Sequence, residues 1–320
     1  MYATNEWSPL KKVIVGSATG ARIPELDTSM RLINYADVDD ISKINVGPYP
    51  DQVIEEANED LEIFCDFLRA EDVEVLRPQN NTPVEYYDYC PRDVVFVHGK
   101  KAIATPMPIH ARHKNYLNIK DHFDNLTVTY RSKENDLYNP GCVGNPNQLA
   151  LTEVAASFDA ANILRANDDI LYLVSNSGNV QGAKYLQEQL PKTNVKMLQG
   201  VYSYMHIDST VAFLREGLLL INPSRIKDVS QLPKPFCNWD YIICPEPQPI
   251  GHYGTYRNSS NWISMNLFSV NPNLVVVEEH QTSLQKELKK YNIECAMLPM
   301  RHAITLGGSF HCVTIDVERG

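Results

Sequence analysis

No stretch of this sequence is apolar over eighteen or more residues, so no segment is predicted to cross a membrane as a helix. Residues 1–7 lack the basic and apolar regions of a secretory signal peptide, which makes the cytoplasm the expected compartment. Basic residues are in deficit, with 29 Lys and Arg against 39 Asp and Glu. The resulting net charge of −10 disfavours nucleic acids and anionic membrane surfaces as partners.

The seven cysteines include no C-x-x-C pair, and the sequence contains neither a G-x-G-x-x-G motif nor a Walker loop. An odd, unpatterned set of cysteines fits a reducing compartment better than a disulfide framework or a zinc knuckle. Without a glycine-rich loop, a nucleotide has no evident phosphate cradle. We therefore expect neither a metal nor a cofactor.

One structural unit recurs along the chain: a β-hairpin, an amphipathic helix and then a strand. Hairpins are predicted at 93–106, 162–174, 209–221 and 262–278, with turn residues such as Gly99-Lys100 at their centres. The helices that follow are predicted at 109–123, 180–190, 226–232 and 282–291. The closing strands are predicted at 126–129, 195–198, 241–244 and 293–298.

A fifth unit is divided between the two ends of the chain. Helix 50–69 and strand 73–76 follow a first strand at 12–15, whose hairpin partner is predicted to be the last strand, 312–317. Pairing of the first and last strands would close a ring and leave no free sheet edge. The sequence thus predicts a single α/β domain over 1–320.

Two long segments interrupt this repeat, at 21–46 and 135–153. Connections of this length inside a repeated unit are usually binding loops or lids. We expect both segments to cover one face of the ring.

Polar residues with chemical potential stand where successive hairpins begin, at Asp93, Asp159, His206, Asp208 and Cys312. Taken singly, each has an ordinary structural explanation: a turn aspartate, a cap, a core histidine or a buried, unreactive cysteine. In a closed ring, however, the starts of the hairpins converge on the central axis. Their shared position in the repeat therefore favours one pocket lined by a thiol, an imidazole and three carboxylates.

Such a pocket suits covalent chemistry on a cationic substrate. A thiolate beside an imidazole forms a nucleophile and base pair, and a carboxylate can orient the imidazole. The two remaining carboxylates repel each other unless a cation lies between them. A planar guanidinium presents a fork of donors that matches carboxylates, so the sequence predicts attack of a cysteine on a guanidinium carbon.

Six segments resemble, in order, those of the amidinotransferases, the family that includes the glycine, lysine and inosamine-phosphate enzymes. They are PRDVVFV at 91–97, FDAA at 158–161, MHIDST at 205–210, NPSR at 222–225, SSNWISMN at 259–266 and LGGSFHC at 306–312. The resemblance extends from about Trp7 to the C-terminus. It implies a five-bladed α/β propeller (pentein) of ββαβ units with pseudo-fivefold symmetry, closed by its terminal strands.

The resemblance also implies a role for each matching residue. Cys312 matches the nucleophile, His206 the general acid and base, and Asp159 the carboxylate that orients it. A second set holds the donor: Asp93 and Asp208 match the carboxylates around the guanidinium, and Arg225 and Ser260 match the groups that bind the donor's carboxylate.

The implied reaction is a ping-pong transfer from L-arginine to a primary amine, which releases L-ornithine and passes through an amidino-cysteine. Glycine is the default acceptor, and the partners are these small molecules together with a homodimeric second copy. Two alternatives stay open: a guanidine hydrolase of the arginine deiminase type within the same wider fold, and a guanidinium-binding protein without activity. Retention of the thiol and imidazole argues against the second, because binding needs no nucleophile.

Two departures from the family pattern affect the expected site. Asn162 stands where the family often has an acid, and residues 200–204 differ from the pattern of the glycine enzyme. We expect Asn162 to alter hydrogen bonding behind Asp159, and 200–204 to bear on the identity of the acceptor. The net charge of −10 favours a zwitterionic or cationic acceptor over a phosphorylated one.

Overall fold

The structure, a computed structural model, describes residues 1–129, 135–145, 147–202 and 204–320. In these ranges the fold is mixed α/β. The strands are β1 Leu10–Val15, β2 Arg22–Ile23, β3 Gly47–Pro48, β4 Glu74–Leu76, β5 Val95–His98, β6 Lys101–Ala104, β7 Leu126–Val128, β8 Ile163–Ala166, β9 Asp169–Leu173, β10 Asn194–Leu198, β11 Val211–Arg215, β12 Leu218–Ile221, β13 Asp240–Ile243, β14 Phe268–Asn271, β15 Leu274–Glu278, β16 Glu294–Leu298 and β17 Thr314–Arg319. The α-helices are α1 Thr28–Ile33, α2 Asp51–Ala70, α3 Val180–Gln189, α4 Thr282–Lys289 and α5 Ala303–Leu306.

The strands form five three-stranded sheets of one pattern, in which the central strand pairs antiparallel with one neighbour and parallel with the other. The sheet orders are β5-β6-β7, β10-β9-β8, β11-β12-β13, β14-β15-β16 and β17-β1-β4. The predicted hairpins are thereby confirmed, including the turn at Gly99, whose positive φ of 57° favours a residue without Cβ.

The predicted pairing of the chain ends is also confirmed. β1 pairs antiparallel with β17, with Val15 opposite Thr314, and parallel with β4. The last strand begins at Thr314, two residues later than predicted, so Cys312 lies in the turn before the strand. Strand pairing thus fixes the backbone next to this cysteine.

Apolar clusters join each sheet to the next, because successive residues of a strand point to opposite faces. Leu219 of β12, for example, packs toward the sheet of β9, whereas its neighbour Leu220 packs toward the sheet of β15. Five clusters connect the sheets in this manner and contain, pair by pair, Ile14 with Val95, Ile103 with Ile170, Leu171 with Leu219, Leu220 with Val275, and Val276 with Val13. The fifth cluster returns to the sheet at which the first began.

The predicted helix at 109–123 is wrong, because this segment forms three short 3₁₀ helices. Asn115 and Asn118 explain the difference. Their side-chain amides donate to the carboxylate of Asp88 at 2.6 Å, and Asn118 also accepts from the backbone amide of Thr82. Side chains that bond a neighbouring segment compete with a regular helix. The consequence is a compact, irregular segment that carries Arg112 into the interior.

Two other predicted regions also contain short 3₁₀ helices in place of the predicted regular structure. The predicted helix at 226–232 is wrong, because only the 3₁₀ helix Val229–Gln231 forms: a capping box begins it at Asp228, and the extended Leu232 before Pro233 ends it. The fourth hairpin starts at Phe268, because the residues before it form a 3₁₀ helix. Within the described ranges, no helix combines the length and apolar character needed to cross a bilayer.

Candidate active site

Short 3₁₀ turns stand directly before four of the hairpins and carry polar residues toward one cavity. The turns are Pro91–Asp93, Ala160–Asn162, Ile207–Ser209 and Asn261–Met265. Pro91 favours the first of them, because its fixed φ suits the start of a helical turn. The candidate residues therefore come from different sheets, and the folding of the whole chain is needed to bring them together.

A cavity of about 830 Å³ lies where these turns meet, a volume that is typical of a site for a small molecule. All seven residues that the sequence singles out line it, namely Cys312, His206, Asp159, Asp93, Asp208, Arg225 and Ser260. The sequence-based prediction of one shared pocket agrees with this placement. The roles of these residues are a separate question.

The thiol of Cys312 is 2% exposed and lies among polar partners. Its Sγ donates to Oδ2 of Asp208 at 3.2 Å, and the side-chain amide of Asn266 donates to Sγ at 3.1 Å. Asn266 also accepts from the backbone amide of Cys312 at 3.0 Å, so one side chain fixes both ends of this residue. A hydrogen bond with Cys90, burial and the charge of Asp208 raise the pKa of the thiol well above its usual value.

His206 lies between two carboxylates. Its Nε2 is 2.9 Å from Oδ2 of Asp159, and its Nδ1 is 3.9 Å from Oδ1 of Asp93. Burial alone would lower the pKa of His206, but the charge of Asp93 and the hydrogen bond with Asp159 outweigh it and hold this pKa well above its usual value. Burial also raises the pKa of Asp159. The pair is thus built to carry a proton.

Asp93 has a cationic partner within the protein that sequence reasoning missed. Arg112 forms an ion pair with Asp93 and donates to the carbonyl oxygen of Cys90 at 2.7 Å. Oδ1 of Asp93 and Oδ1 of Asp159 are nevertheless buried without a hydrogen-bond donor. Because both residues line the cavity, these two oxygens are acceptors that a cationic substrate could satisfy.

Asp208 contacts a second histidine, which directly precedes the cysteine. Nδ1 of His311 donates to Oδ2 of Asp208 at 3.1 Å, the same oxygen that accepts from Cys312. Burial would raise the pKa of Asp208, but its hydrogen bond with His311 and the charge of that imidazole lower the pKa to about 2. This carboxylate is therefore a fixed negative charge beside the thiol.

Arg225 and Ser260 line the cavity wall farther from the thiol. Nη1 of Arg225 donates to the hydroxyl groups of Ser209 and Thr210 at 2.8 Å each. The guanidinium carbon lies 3.5 Å from the centre of the Tyr202 ring, a cation–π contact. Ser260 stands at the N-terminal end of a 3₁₀ turn and is exposed. Hydrogen bonds therefore hold one edge of the Arg225 guanidinium, and the Tyr202 ring packs against its face.

The site contains residues to which sequence reasoning assigned no role. Asn266 lies inside a segment that we singled out, and Tyr202 lies inside the departing segment 200–204, of which Ser203 is outside the described residues. Arg112 had no sequence signal, since it comes from the segment that was predicted as a regular helix. In each case the role depends on a contact between residues distant in sequence, such as Asn266 with Cys312, which no local pattern reveals.

Asn162, the first departure from the family pattern, points away from the thiol. Its amide group donates to the carbonyl and hydroxyl oxygens of Ser177, and it accepts from Ser175. The backbone amide of Asp159 donates to the same Ser177 carbonyl at 2.9 Å. Asn162 thus fixes the loop that supports Asp159.

Two groups of side chains in the described ranges have ligand atoms close enough together for a metal ion. His206, Asp208 and Cys312 form one group, and Glu278, Glu279 and His280 form the other. The first group consists of three residues that the sequence analysis predicts for a nucleophilic site. The second lies at the surface end of β15, where Glu278 and His280 bond each other.

The insertion at 21–46 lines the cavity mouth, as expected, whereas no described residue of the second long segment, 135–153, lines the cavity. Tyr35 and Lys43 belong to this wall. The hydroxyl of Tyr35 donates to the side chain of Asn258 at 3.4 Å, which ties the insertion to the opposite side of the cavity. Arg257 also lines the cavity and is exposed. The lining thus includes tyrosines and two cationic side chains, while Asp37 also lines the cavity and Lys43 pairs with Asp40 at 3.4 Å.

Comparison with known proteins gives consistent relatives over nearly the whole chain, although no protein-family model matches it. Inosamine-phosphate amidinotransferase 1 of Streptomyces glaucescens is 40% identical over 336 residues, which cover 98% of this chain and 95% of the relative. The enzyme of the same name from Streptomyces griseus is 39% identical, with 98% and 96% covered. At 31% identity, the L-arginine:L-lysine amidinotransferase of Pseudomonas savastanoi pv. phaseolicola covers 98% of this chain and is itself 93% covered.

Solved structures agree with these sequence relatives. The inosamine-phosphate amidinotransferase of Streptomyces griseus superposes with a TM-score of 0.94 at 38% identity, covering 99% of this chain and 96% of that one. A dimethylarginine dimethylaminohydrolase from Pseudomonas aeruginosa superposes with a TM-score of 0.62 at 15% identity, over 96% and 99% of the two chains. At that identity the second likeness shows a shared fold alone.

Proposed function

The chain belongs to the amidinotransferase family, and from this premise we propose that it moves the amidino group of L-arginine to a primary amine through a covalent amidino-cysteine at Cys312. The observation that carries the proposal is the contact of the Cys312 thiol with Asp208, beside the His206–Asp159 pair in one cavity. A nucleophile, an oriented acid and base, and carboxylates for a guanidinium are thus supplied together.

In the first half-reaction, arginine binds with its guanidinium between Asp93 and Asp208. The Cys312 thiol gives its proton to solvent as the guanidinium binds beside it. The thiolate sulfur then forms a bond to the guanidinium carbon, and the bond from that carbon to the side-chain nitrogen of arginine breaks. His206 gives its proton to the departing nitrogen, so ornithine leaves as a neutral amine and is protonated in water. The amidino group stays on the sulfur.

In the second half-reaction, the acceptor amine takes the place of ornithine. Its nitrogen forms a bond to the amidino carbon and gives a proton to His206, and the bond from carbon to sulfur then breaks. Cys312 is regenerated together with a new guanidino compound. Proton transfer by a positioned imidazole contributes roughly a hundred- to ten-thousand-fold in rate.

The protonation states of the free protein fit this sequence. Because the pKa values of both Cys312 and His206 are raised, the thiol and the imidazolium are the resting forms. A bound guanidinium brings positive charge to the sulfur, which favours the thiolate. His206 already holds the proton that the leaving nitrogen needs, and after that transfer it is the neutral base that the acceptor needs.

The other charges in the cavity position the donor. Arg112 pairs with Asp93, so the carboxylates around the bound guanidinium repel one another less. The orphaned oxygens of Asp93 and Asp159 accept its N–H groups. Arg225 and Ser260, which line the same cavity, bind the carboxylate at the other end of arginine. This arrangement would give arginine two charged anchors.

For the acceptor, we propose a primary amine on a larger, phosphorylated molecule of the inosamine-phosphate type, in place of the glycine expected at first. The relatives at 40% and 39% identity bear that name. Lys43 and Arg257 line the cavity and suit a phosphate group. The net charge of −10 is a weaker guide, since local charge at the mouth decides binding.

We further propose that residues 1–320 form one five-bladed α/β propeller, with each three-stranded sheet as a blade. Support comes from the five apolar clusters, which link the sheets in cyclic order and return to the first. The pairing of β1 with β17 then closes the ring within a blade. Small-angle scattering should give a single globular particle. In a separate experiment, limited proteolysis should not divide the protein into two stable fragments.

Product analysis tests the proposed reaction against the hydrolase alternative. The protein is incubated with arginine alone, then with glycine, lysine and an amino-cyclitol phosphate in turn, and products are identified by mass spectrometry. We expect ornithine in quantity only when an amine is present, with one guanidino product per ornithine. Citrulline and ammonia formed from arginine alone would instead identify a hydrolase of the deiminase type, in which ammonia leaves first and water then frees the cysteine-bound carbon with its ornithine part still attached. Urea formed with ornithine would show that water reaches the amidino-cysteine.

A single-turnover experiment isolates the covalent step. Arginine without acceptor should add one amidino group to the intact protein, at the peptide that contains Cys312. Cys312→Ala should show no adduct and no turnover. A variant of the half-buried Cys295, Cys295→Ser, is the matched control and should form the adduct normally. Full turnover by Cys312→Ala would refute the covalent mechanism.

A further inference from the structure

Cys90 is a buried thiol that the proposed reaction does not use, although it contacts the nucleophile. It is 1% exposed and does not line the cavity, so it lies behind Cys312 as seen from the substrate side. Cys312 itself lines the cavity. A small reagent that enters the cavity therefore meets one thiol directly and finds the second within reach of the first.

Two backbone segments hold these cysteines together. The amide of Arg92 donates to the carbonyl oxygen of Cys312 at 3.3 Å, and the hydroxyl of Tyr89 donates to the carbonyl oxygen of Gly308 at 3.2 Å. Cys90 lies between Tyr89 and Arg92, so contacts on both sides fix its position against the segment that ends at Cys312. The two backbone segments that carry the thiols are therefore held against each other by hydrogen bonds.

Gly308 provides the space in which the thiols approach each other. A Cβ placed on Gly308 would overlap the sulfur of Cys90 and would stand 3.1 Å from Cβ of Cys312. Both cysteine side chains therefore border the volume of one missing carbon. The contact of Cys90 with Cys312 is also the largest of the causes that raise the pKa of the Cys312 thiol.

We propose that Cys312 and Cys90 form an oxidation site for hydroperoxides, in which Cys90 resolves oxidised Cys312 as an intramolecular disulfide. The cross-link itself requires only the geometry of the two thiols. Its consequence, reversible loss of amidino transfer, rests on the proposed role of Cys312 as the nucleophile.

The two steps balance with a hydroperoxide as the oxidant. The Cys312 sulfur takes one peroxide oxygen as the O–O bond breaks; the other oxygen leaves as water or alcohol, and a sulfenic acid remains. The Cys90 sulfur then attacks the Cys312 sulfur, the S–O bond breaks, and the hydroxyl leaves as water with the proton of Cys90. The protein loses two hydrogen atoms, and an added dithiol reverses the change by thiol–disulfide exchange.

Without a second thiol beside Cys312, the oxidised cysteine does not form a disulfide at this site. A sulfenic acid that meets no thiol is oxidised further to the sulfinic acid, which dithiols do not reduce. Cys90 is therefore expected to protect Cys312 as well as to silence it. Cys295 does not serve this purpose, since it lies on β16 and packs against the apolar cluster of Val275, whereas Cys90 and Cys312 belong to the cluster of Val13.

The test compares the full-length wild-type protein with Cys90→Ser and the control Cys295→Ser. Each is treated with hydrogen peroxide, quenched with catalase, blocked with a thiol reagent and digested without reduction. In wild type and Cys295→Ser we expect one linked peptide pair containing Cys90 and Cys312. Transfer activity, relative to each untreated protein, should return almost fully with dithiothreitol.

Cys90→Ser should give no linked pair and should accumulate two extra oxygen atoms on Cys312, with about a tenth or less of its activity recovered by dithiothreitol. Absence of the linked pair from oxidised wild type would overturn the proposal, as would equal recovery in Cys90→Ser. If Cys90→Ser is unfolded by circular dichroism, the wild-type peptide map alone decides. Because the map needs no turnover, failure of the amidino-transfer assay would not be mistaken for failure of the cross-link.

Discussion

The candidate site contains two carboxylate–imidazole pairs, which differ in the groups that surround them. His206 contacts Asp159 at 2.9 Å, and His311 contacts Asp208 at 3.1 Å. The hydrogen bonds are alike, yet the carboxylate pKa is raised in the first pair and lowered to about 2 in the second. The surroundings, and not the pair itself, therefore determine its charge.

The His206 pair is open to the cavity. The imidazole is 16% exposed, lines the cavity and lies near a second carboxylate, that of Asp93. Both members have raised pKa values, so one proton is held firmly between them and the cavity. A substrate nitrogen that arrives there can take that proton or give one back.

In the second pair Asp208 lines the cavity, but the His311 imidazole does not and is connected to a buried network of ions. Nε2 of His311 is 3.6 Å from Glu6, which pairs with Arg165, and Asp316 joins the network through Arg92 and Arg319. These groups are buried, so they are screened little by solvent. The network holds the imidazole in place, and the imidazole keeps Asp208 ionised beside the sulfur.

The difference suggests a division of labour within the proposed mechanism. The His206 imidazole, which reaches the cavity beside a carboxylate of raised pKa, transfers protons, whereas the buried His311 imidazole and the ionised Asp208 supply a constant field. Substitutions in the His206 pair should therefore change rates through proton transfer. Substitutions in the His311 pair should act through the negative charge that faces the substrate and through the stability of the protein.

The largest effect is expected for His206→Asn. Asparagine can still donate to Asp159 but cannot exchange a proton near neutral pH, so kcat for arginine and an amine should fall roughly a hundred- to ten-thousand-fold. Steady-state kinetics by mass spectrometry of the guanidino product measures this. Thermal unfolding is the control for folding. A loss of less than about tenfold would assign proton transfer to another group.

Asp208→Asn should have the next largest effect. The substitution keeps the shape but removes the negative charge from a buried position, at an expected loss of about a hundredfold in kcat/KM for arginine, or roughly 2.7 kcal/mol. Because the charge is used in binding as well as in reaction, KM should rise together with the fall in kcat. An unchanged KM would show that the guanidinium does not contact this carboxylate.

His311→Leu should have a smaller effect, since this imidazole acts through Asp208. Loss of the hydrogen bond at 3.1 Å should free the carboxylate to move and lower kcat/KM about tenfold. His311→Asn keeps a donor and should recover part of that loss. A merely structural role would instead lower the melting temperature of both variants equally, with no difference between their kinetic constants.

His311 also shows how far sequence reasoning reached at this site. The LGGSFHC segment identified Cys312, but its neighbouring histidine received no role, because the contact with Asp208 crosses between two sheets. The hairpin turns, by contrast, were predictable: residues such as Gly99 and Asn167 adopt positive φ, and this requirement is local.

The failures follow the same division between local and long-range causes. The segment 109–123 has the apolar spacing of a helix, but Asn115 and Asn118 bond Asp88 across the fold. Arg112 reaches Asp93 only because that helix does not form. Periodicity reports which residues are buried, and it does not report which distant polar group a side chain will meet.

The smallest effect, on stability in acid, separates the two pairs by sign. The folded pKa of Asp208, about 2, is below the unfolded value near 3.9, so its contribution of about 2 kcal/mol is present above pH 4 and lost as the pH falls toward 2. Asp159 has a raised pKa, so its contribution changes in the opposite direction and is lost as the pH rises. Urea unfolding between pH 5 and about pH 2 should therefore show a shallower loss of stability for Asp208→Asn than for wild type. Asp159→Asn should show a steeper one, because it removes the carboxylate that favours the acid state. Parallel curves for the two variants would mean that both carboxylates share one environment, and the distinction between the pairs would fail.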